Sequence, residues 1–311
     1  MNYKKTEGFF DSSNGFDKIA YYTYVPDCQP KAVLQLCHGM CEYIARYEHF
    51  IDYLCGQGYA VIGHDHLGHG NSVSDNGDLG YFALEHGWIC LIKDLRKCQL
   101  IADDIFGDIP HFIISHSMGS LILRCYLAKY GHTIDGAVIL GTAAKNPAVD
   151  IAIMYADKEI AFHGVKSRSK SLKRILFSMS NARIPDRRTE FDWLTRDEKI
   201  VADYVADNKC NFTFTSAGFR DLFMLLAYCT DKSWYKKVSH DLPMLVMAGT
   251  ADPVGNYGKG VEDFYRGLEK NGFIDTELRL WDGCRHELYN ETNRLEIYDE
   301  IENWIYNRIG E

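Results

Sequence analysis

Short apolar runs alternate with longer segments in which apolar residues recur every three or four positions. A near-continuous apolar run predicts a strand buried on both faces, and the three-to-four spacing predicts a helix with one buried side. The predicted strands are residues 19–25, 32–37, 59–64, 111–115, 136–140, 244–248 and 277–281. The predicted helices include residues 47–57, 88–106, 121–130, 258–271 and 292–308. This alternation predicts an α/β fold, in which helices flank a mostly parallel central sheet.

The alternation stops between residues 143 and 239, where no strand-like run is evident. Amphipathic helices, basic loops and aromatic residues occupy this stretch instead. We interpret residues 143–239, the cap segment, as a helical insertion. Residues 1–142 and 240–311 are then expected to form the α/β core.

Composition restricts the classes of protein that need consideration. A chain of 311 residues can form one large core with an inserted subdomain. Its net charge of −9 argues against nucleic-acid binding, which requires basic surface. The first ten residues lack the apolar stretch of a secretory signal, and no run reaches the ~18 apolar residues of a membrane span. These features predict a soluble cytoplasmic protein and leave its oligomeric state open.

The ten cysteines are scattered singly, without a CxxC pair or a Cys/His cluster of zinc spacing. We therefore expect free buried thiols, and we assign the chain no metal.

Residues 115–119 read Ser-His-Ser-Met-Gly and directly follow the predicted strand at 111–115. A helical pattern comes next. A strand that runs into a small-x-Ser-x-Gly turn and a helix is typical of a nucleophile elbow, which lifts a serine hydroxyl clear of the sheet. Ser117 is the candidate nucleophile. The alternative for a serine in such a loop is an ordinary helix cap.

A serine nucleophile requires a base and an acid that orients the base. Asp252 follows the predicted strand at 244–248, and His286 lies in the loop after the strand at 277–281. The order serine, acid, histidine is that of α/β-hydrolases. Asp282 is the rival acid, but it precedes His286 by only four residues on the same loop, so we favour Asp252.

An oxyanion hole requires two backbone N–H groups near the nucleophile. The loop after the strand at 32–37 contains Gly39, which permits a tight turn, and the N–H of Met40 is one candidate donor. The N–H of Met118, directly after Ser117, is the other.

At this point the chain resembles the monoacylglycerol lipase and lysophospholipase group of α/β-hydrolases. The resemblance is carried by His-Gly-Met-Cys-Glu at 38–42, His-Asp-His-Leu-Gly-His-Gly-Asn-Ser at 64–72, the Ser117 elbow, Asp252 and His286. It implies an α/β-hydrolase fold with a cap, a Ser117–His286–Asp252 triad, and an oxyanion hole at Met40 and Met118. It implies no cofactor.

Two positions depart from the pattern of that group. Ser115 stands where glycine is most familiar in the elbow, and this change is expected to tilt the elbow slightly. Cys41 stands where many members have glycine, and its thiol is expected to lie near the mouth of the pocket. Neither change removes a candidate catalytic group.

The 64–72 segment carries three histidines and one aspartate, which raises the alternative of a metal site. Gly68 and Gly70 fit a tight structural loop better than a cage of ligands. We expect Asp65 and His66 to form hydrogen bonds to neighbouring loops.

The cap segment is rich in apolar side chains that could roof an acyl pocket or form the segment's own core. They are Phe162, Phe177, Met179, Phe191, Trp193, Phe212, Phe214, Phe219, Phe223, Met224 and Leu226.

Residues 166–188 carry eight basic residues and one acidic residue, Asp186. Leu172, Ile175, Leu176 and Met179 form one helical stripe there. Such a helix can contact an anionic membrane surface or simply pack on the core.

The sequence thus predicts a serine ester hydrolase that acts on a mono-acylated lipid, either a lysophospholipid or a monoacylglycerol. A small-ester carboxylesterase, a thioesterase or a peptidase would use the same triad. A hydrolase-fold binding protein without catalysis is a further alternative, against which the complete set of triad residues argues.

Overall fold

The computed structural model describes residues 3–309 except 74, 144, 178, 179 and 186. Met179 and Asp186 therefore lie outside the described residues. Within these residues, eight strands form one sheet: β1 (Tyr3–Asp11), β2 (Lys18–Pro26), β3 (Val33–Cys37), β4 (Ala60–His64), β5 (His111–His116), β6 (Gly136–Leu140), β7 (Met244–Gly249) and β8 (Thr276–Trp281). The helices are α1 (Glu48–Gly56), α2 (Gly87–Phe106), α3 (Met118–Tyr130), α4 (Val149–His163), α5 (Lys170–Phe177), α6 (Glu198–Ala206), α7 (Ser216–Thr230), α8 (Lys259–Lys270) and α9 (Arg294–Tyr306).

The strand order is β1-β2-β4-β3-β5-β6-β7-β8. Strands β3 to β8 run parallel to one another, whereas β2 pairs antiparallel with both β4 and the edge strand β1. The mostly parallel sheet is confirmed, and all seven predicted strands are present with ends within one residue of the prediction.

Alternate side chains along the central strands enter two different cores. In β6, Ala137 and Ile139 pack in the layer with α2 and α3, whereas Val138 and Leu140 pack in the layer with α1 and α9. Burial of both faces explains why these strands are apolar without interruption.

Parallel pairing places the loops after β3, β5, β7 and β8 at one edge of the sheet. Cys37 pairs with Ser115 and Gly249 with Trp281, so these strands end at similar levels. All four sequence-predicted loops therefore meet at the carboxyl edge, where α/β proteins bind ligands.

The stretch between β6 and β7 forms four helices, α4 to α7, in its described residues. Helix α7 returns to the core, where the Thr215 hydroxyl donates to the carbonyl of Gly80 (2.9 Å). Gly218 is required there, because a Cβ would overlap the same carbonyl oxygen. Within the described residues, every helix is too short or too polar to cross a bilayer.

Candidate active site

Ser117 occupies the turn between β5 and α3 in a strained conformation. Its φ of 52° and ψ of −119° are rare for a residue with a side chain. Its N–H donates to the carbonyl of Leu140 (3.0 Å), which helps to hold the turn. Gly119 permits the close approach of the loop after β3, because a Cβ would overlap the carbonyl oxygens of Cys37 and His38. This backbone conformation places the Ser117 side chain at the carboxyl edge of the sheet.

Ser115 remains in register within β5, opposite Ile139. Its hydroxyl is buried and donates to the carbonyl of Val138 (3.0 Å). Ser115, which stands in place of glycine, therefore fits the sheet with its buried hydroxyl hydrogen-bonded.

The structure brings Ser117, His286 and Asp252 into one hydrogen-bonded chain. His286 Nε2 lies 2.8 Å from Ser117 Oγ, and His286 Nδ1 lies 2.9 Å from Asp252 Oδ2. Asp252 is fully buried, and its other oxygen accepts the N–H of Val254 (2.8 Å). Asp282 is exposed and accepts instead from the Thr250 hydroxyl (3.1 Å).

Two opposing influences act on His286. Burial disfavours the charged ring, but the charge and hydrogen bond of Asp252, together with the charges of Glu287 and Glu42, outweigh burial. The pKa of His286 is therefore raised above its ordinary value. A raised basicity suits a group that must take a proton from a hydroxyl.

The loop after β3 passes directly over the Ser117 turn. A Cβ on Gly39 would lie 2.5 Å from Glu42 Oε1 and 3.0 Å from Ser117 Cβ, so this position requires glycine. Met40 follows, and Met118 opens helix α3, where a first-turn N–H has no acceptor within its own helix. Met40 and Met118 both line the cavity above Ser117.

Cys41 has a φ of 56°, the left-handed region that glycine adopts most easily. This geometry explains why glycine suits the position. The Cys41 thiol lines the cavity and donates to the carbonyl of Phe212 in the cap segment (3.0 Å).

A buried carboxylate that the sequence analysis missed connects the loop after β3 to the rest of the site. Glu42 accepts from the N–H of Gly39, from Arg46 Nη1 (2.9 Å), and from the hydroxyls of Tyr47 (3.0 Å) and Tyr289 (2.5 Å). Burial acts to raise the pKa of Glu42, but the cationic neighbours outweigh it and hold the pKa well below the usual range. The i,i+4 spacing of Glu42 and Arg46 was the signal in the sequence.

The same network reaches the candidate triad. His116 Nδ1 lies 2.9 Å from Glu42 Oε1, and His116 Nε2 lies 3.2 Å from the carbonyl oxygen of His286. The His116 ring therefore lies between the Glu42 carboxylate and the backbone of His286. Arg46 also binds both oxygens of Glu287, the residue after His286 (2.8 Å each).

The 64–72 segment is a hydrogen-bonded structural loop. Asp65 accepts the N–H groups of Ile44 (2.9 Å) and Asn71 (2.8 Å), and His66 Nε2 bonds the carbonyl of His38 (2.9 Å). The predicted bonds of Asp65 and His66 are confirmed. No metal-binding group of three or more His, Cys, Asp or Glu side chains occurs among the described residues.

A cavity of about 760 Å³ opens over Ser117 and His286. Seven of the predicted cap residues line it: Phe177, Phe191, Trp193, Phe212, Phe219, Phe223 and Leu226. Two others have different positions, since Phe162 is 73% exposed and Phe214 is fully buried.

Known proteins with similar sequences are hydrolases. Residues 28–293 match the family described as serine aminopeptidase, S33. A monoacylglycerol lipase of Mycolicibacterium smegmatis is 26% identical over 94% of each chain. Mouse monoglyceride lipase is 26% identical over 92% of this chain and 86% of its own.

Among solved structures, a thermostable carboxyl esterase from Bacillus coagulans in complex with glycerol superposes with a TM-score of 0.93. It is 29% identical and covers 98% of this chain and 99% of its own.

The sheet, its flanking helices and these likenesses define an α/β-hydrolase of the serine ester hydrolase class. The chain belongs to the S33 serine aminopeptidase family. The resemblance to the monoacylglycerol lipase and lysophospholipase group is thereby confirmed.

Proposed function

We propose that this protein hydrolyses the ester bond of mono-acylated lipids, a monoacylglycerol or a lysophospholipid. The observation that carries the proposal is the Ser117–His286–Asp252 chain, which opens into a cavity with apolar walls. In this proposal residues 143–239 form the cap over a core made of residues 1–142 and 240–311.

The reaction begins when Ser117 Oγ attacks the ester carbonyl carbon and His286 Nε2 takes the hydroxyl proton. The 2.8 Å separation of these two atoms suits this transfer. Asp252 holds the ring with Nδ1 protonated and stabilises the imidazolium that forms. The N–H groups of Met40 and Met118 donate to the oxyanion of the tetrahedral intermediate.

The intermediate collapses when His286 returns the proton to the leaving alcohol, which leaves the acyl group on Ser117. Water then attacks the acyl-enzyme with His286 as base, and the fatty acid is released. These steps use side chains and backbone groups of this chain, and the proposal assigns no cofactor.

The cavity favours an acyl chain over a charged peptide. Each buried methylene contributes about 0.8 kcal/mol, so apolar walls discriminate strongly for chain length. An aminopeptidase needs an unpaired carboxylate for the substrate ammonium. Among the described lining residues, Glu42 and Glu287 are bound by Arg46, and Glu190 is bound by Lys173 (3.1 Å).

We propose further that the cap segment contacts a lipid surface transiently. Lys170, Arg174 and Ile175 of α5 are exposed, whereas Leu172 is buried. Lys173 instead faces Glu190 at the cavity, so it contributes less to this surface. Helix α4, which precedes α5 in the chain, carries apolar side chains that are 69–73% exposed: Ile151, Met154 and Phe162. Exposed basic and apolar groups in one segment suit an anionic interface.

The substrate is tested by fatty acid release from a matched panel, with Ser117→Ala as the blank. The panel contains 1-acylglycerols and lysophospholipids of several chain lengths, short aryl esters and aminoacyl anilides. We expect preferential release from long-chain lipids, lost in the variant. Turnover confined to short aryl esters would favour a carboxylesterase, the activity named for the B. coagulans relative. Turnover confined to the anilides would favour a peptidase.

The lipid surface is tested by sedimentation with vesicles that contain anionic phospholipid. Lys170→Glu combined with Arg174→Glu should reduce the bound fraction. The control is Lys4→Glu combined with Lys5→Glu on the edge strand β1, which should leave binding unchanged. Equal binding by wild type and the cap variant would refute this part of the proposal.

A further inference from the structure

Four histidines lie buried in or beside residues 38–42, the loop after β3 that carries Met40, and the proposed mechanism uses none of them. His38, His64, His66 and His69 are each 0% exposed. Their rings form a contiguous group: the centroids of His38 and His66 are 4.0 Å apart, those of His64 and His66 4.8 Å, and those of His38 and His69 5.3 Å.

Hydrogen bonds define which nitrogen of His38 carries the proton. Its Nε2 accepts the N–H of His66 (2.8 Å), so its Nδ1 carries hydrogen and donates to the carbonyl of Gly39 (2.8 Å). His66 Nε2 donates to the carbonyl of His38 (2.9 Å). Burial lowers the pKa of both rings well below its ordinary value, so both are neutral, and both bind the backbone of the loop.

His69 binds the same loop from its other end. Its Nε2 accepts the N–H of Cys41 (3.2 Å), which requires Nδ1 to carry hydrogen and donate to the carbonyl of Leu67 (3.2 Å). This ring is also neutral. Its acceptor nitrogen is thus fixed towards the peptide that joins Met40 to Cys41.

Cys41 is the strained residue of this loop, with its φ of 56°. A non-glycine residue keeps this left-handed backbone conformation only where contacts with the surrounding structure stabilise it. His69 holds the N–H of Cys41, and the carbonyl of Phe212 holds its thiol. Since Met40 directly precedes Cys41, rotation of Cys41 would also turn the N–H of Met40.

We propose that His69 is a positioning residue for the oxyanion hole: by accepting the N–H of Cys41, it keeps the strained loop aimed so that Met40 can donate to the developing oxyanion. The inference rests on the proposed ester hydrolysis and adds to it a residue that touches neither substrate nor triad.

The experiment compares His69→Leu with His69→Gln in wild type and in Cys41→Gly, on a long-chain 1-acylglycerol. Leucine removes the acceptor, whereas the glutamine amide oxygen can replace Nε2. Phe82→Leu is the packing control, because the Phe82 ring stacks on His69 without taking part in the bond (6.0 Å between centroids). Thermal unfolding is measured for every variant.

We expect His69→Leu to lower kcat by about ten- to a hundredfold with little change in KM, as misdirected oxyanion donors do. His69→Gln should recover most of this loss. In Cys41→Gly the loop is no longer strained, so His69→Leu should cost at most a fewfold relative to Cys41→Gly alone. Phe82→Leu should lower the Tm but change kcat less than His69→Leu does.

An unchanged kcat in His69→Leu would overturn the proposal. So would an equal loss in the leucine and glutamine variants, or an equal loss with and without Cys41→Gly. Failure of the proposed function is distinguishable, because wild type would then release no more fatty acid than Ser117→Ala. If His69→Leu is too unstable to assay, His69→Gln decides the matter: its kcat should stay within a fewfold of wild type, and a kcat loss larger than that of Phe82→Leu would overturn the proposal.

Discussion

The core side and the cap side of the cavity are built from different interactions. On the core side, Glu42 alone accepts from four residues besides His116, and Arg46 joins it to Glu287. On the cap side, aromatic and aliphatic side chains such as Phe177, Trp193 and Phe223 form the apolar part of the cavity wall, beside polar residues such as Arg187 and Arg188.

This contrast separates chemistry from substrate selection. Directed hydrogen bonds fix the position of an atom, which a proton transfer and an oxyanion hole require. Apolar contacts are less directional and tolerate chains of different shape. We therefore expect core substitutions to change kcat or folding, and cap substitutions to change the preference for chain length.

The largest effect is expected from Ser117→Ala, which removes the proposed nucleophile. Loss of a triad serine lowers kcat by about 10⁶-fold. Initial rates of fatty acid release measure the change. Near wild-type release by this variant would contradict the assignment of Ser117.

Asp252→Asn should lower kcat by about 10⁴-fold, because an amide can stabilise the wrong tautomer of His286. The matched control is Asp282→Asn, on an exposed side chain that bonds only Thr250 among the described residues. Steady-state kinetics of both variants decide between the two acids. Similar losses of kcat in both variants, or a larger loss in Asp282→Asn, would show that Asp252 is not the triad acid.

Arg46→Met should destabilise the fold by about 3–5 kcal/mol, because it leaves the buried carboxylates Glu42 and Glu287 without their shared cation. Arg266→Met removes an exposed ion pair with Glu262 and should cost less than about 1 kcal/mol. Denaturant unfolding gives both free energies. Equal losses of unfolding free energy in the two variants would show that the buried Arg46 network does not stabilise the core side of the cavity.

Acid should destabilise the protein through its buried neutral histidines. Burial lowers the pKa of His69 from 6.5 to about 4 and that of His64 to about 3. The unfolded chain therefore binds more protons than the folded chain below pH 6.5, so stability falls as the pH drops from about 6.5 towards 4. For His69 alone the loss is on the order of 3 kcal/mol.

Denaturant unfolding across this range measures the loss, with the His69→Gln variant as the comparison. That variant should show a smaller fall in stability with acid. An identical pH dependence would mean that His69 is not buried as a neutral ring.

The smallest effect is expected in the cap. Leu226→Ala removes apolar contact from the cavity wall and should lower kcat/KM for long acyl chains by several-fold, at about fourfold per lost methylene contact. Short acyl esters should be nearly unaffected. Leu295→Ala, on an exposed leucine of α9, is the control. Equal losses for long and short chains would show that this wall does not select the chain.

The core was largely predictable from sequence because its strands are apolar on both faces and its candidate catalytic residues follow strand ends. The edge strand β1 was missed, since it pairs only with β2 and consists of exposed and half-buried residues without an apolar run. The cap helices were recognised only as a helical stretch. Which cap aromatics line the cavity depends on how these helices pack, so Phe162 and Phe214 were not distinguishable from Phe177.

The buried polar network was also hidden in the sequence, for a different reason. Glu42 meets His116 and Tyr289, residues 74 and 247 positions away along the chain. Only the folded sheet brings these groups together. By contrast, Ser117, Asp252 and His286 could be associated from sequence, because each follows a predicted strand and parallel strands end at the same edge of the sheet.

The most direct test of the account is the site of acylation. The enzyme is mixed with a long-chain aryl ester, quenched in acid within the first turnover and analysed by intact mass and peptide mapping. The account predicts one acyl group per chain, on the peptide that contains Ser117 and absent in Ser117→Ala. Turnover of this ester with no acyl adduct, or with an adduct on another residue, would contradict it.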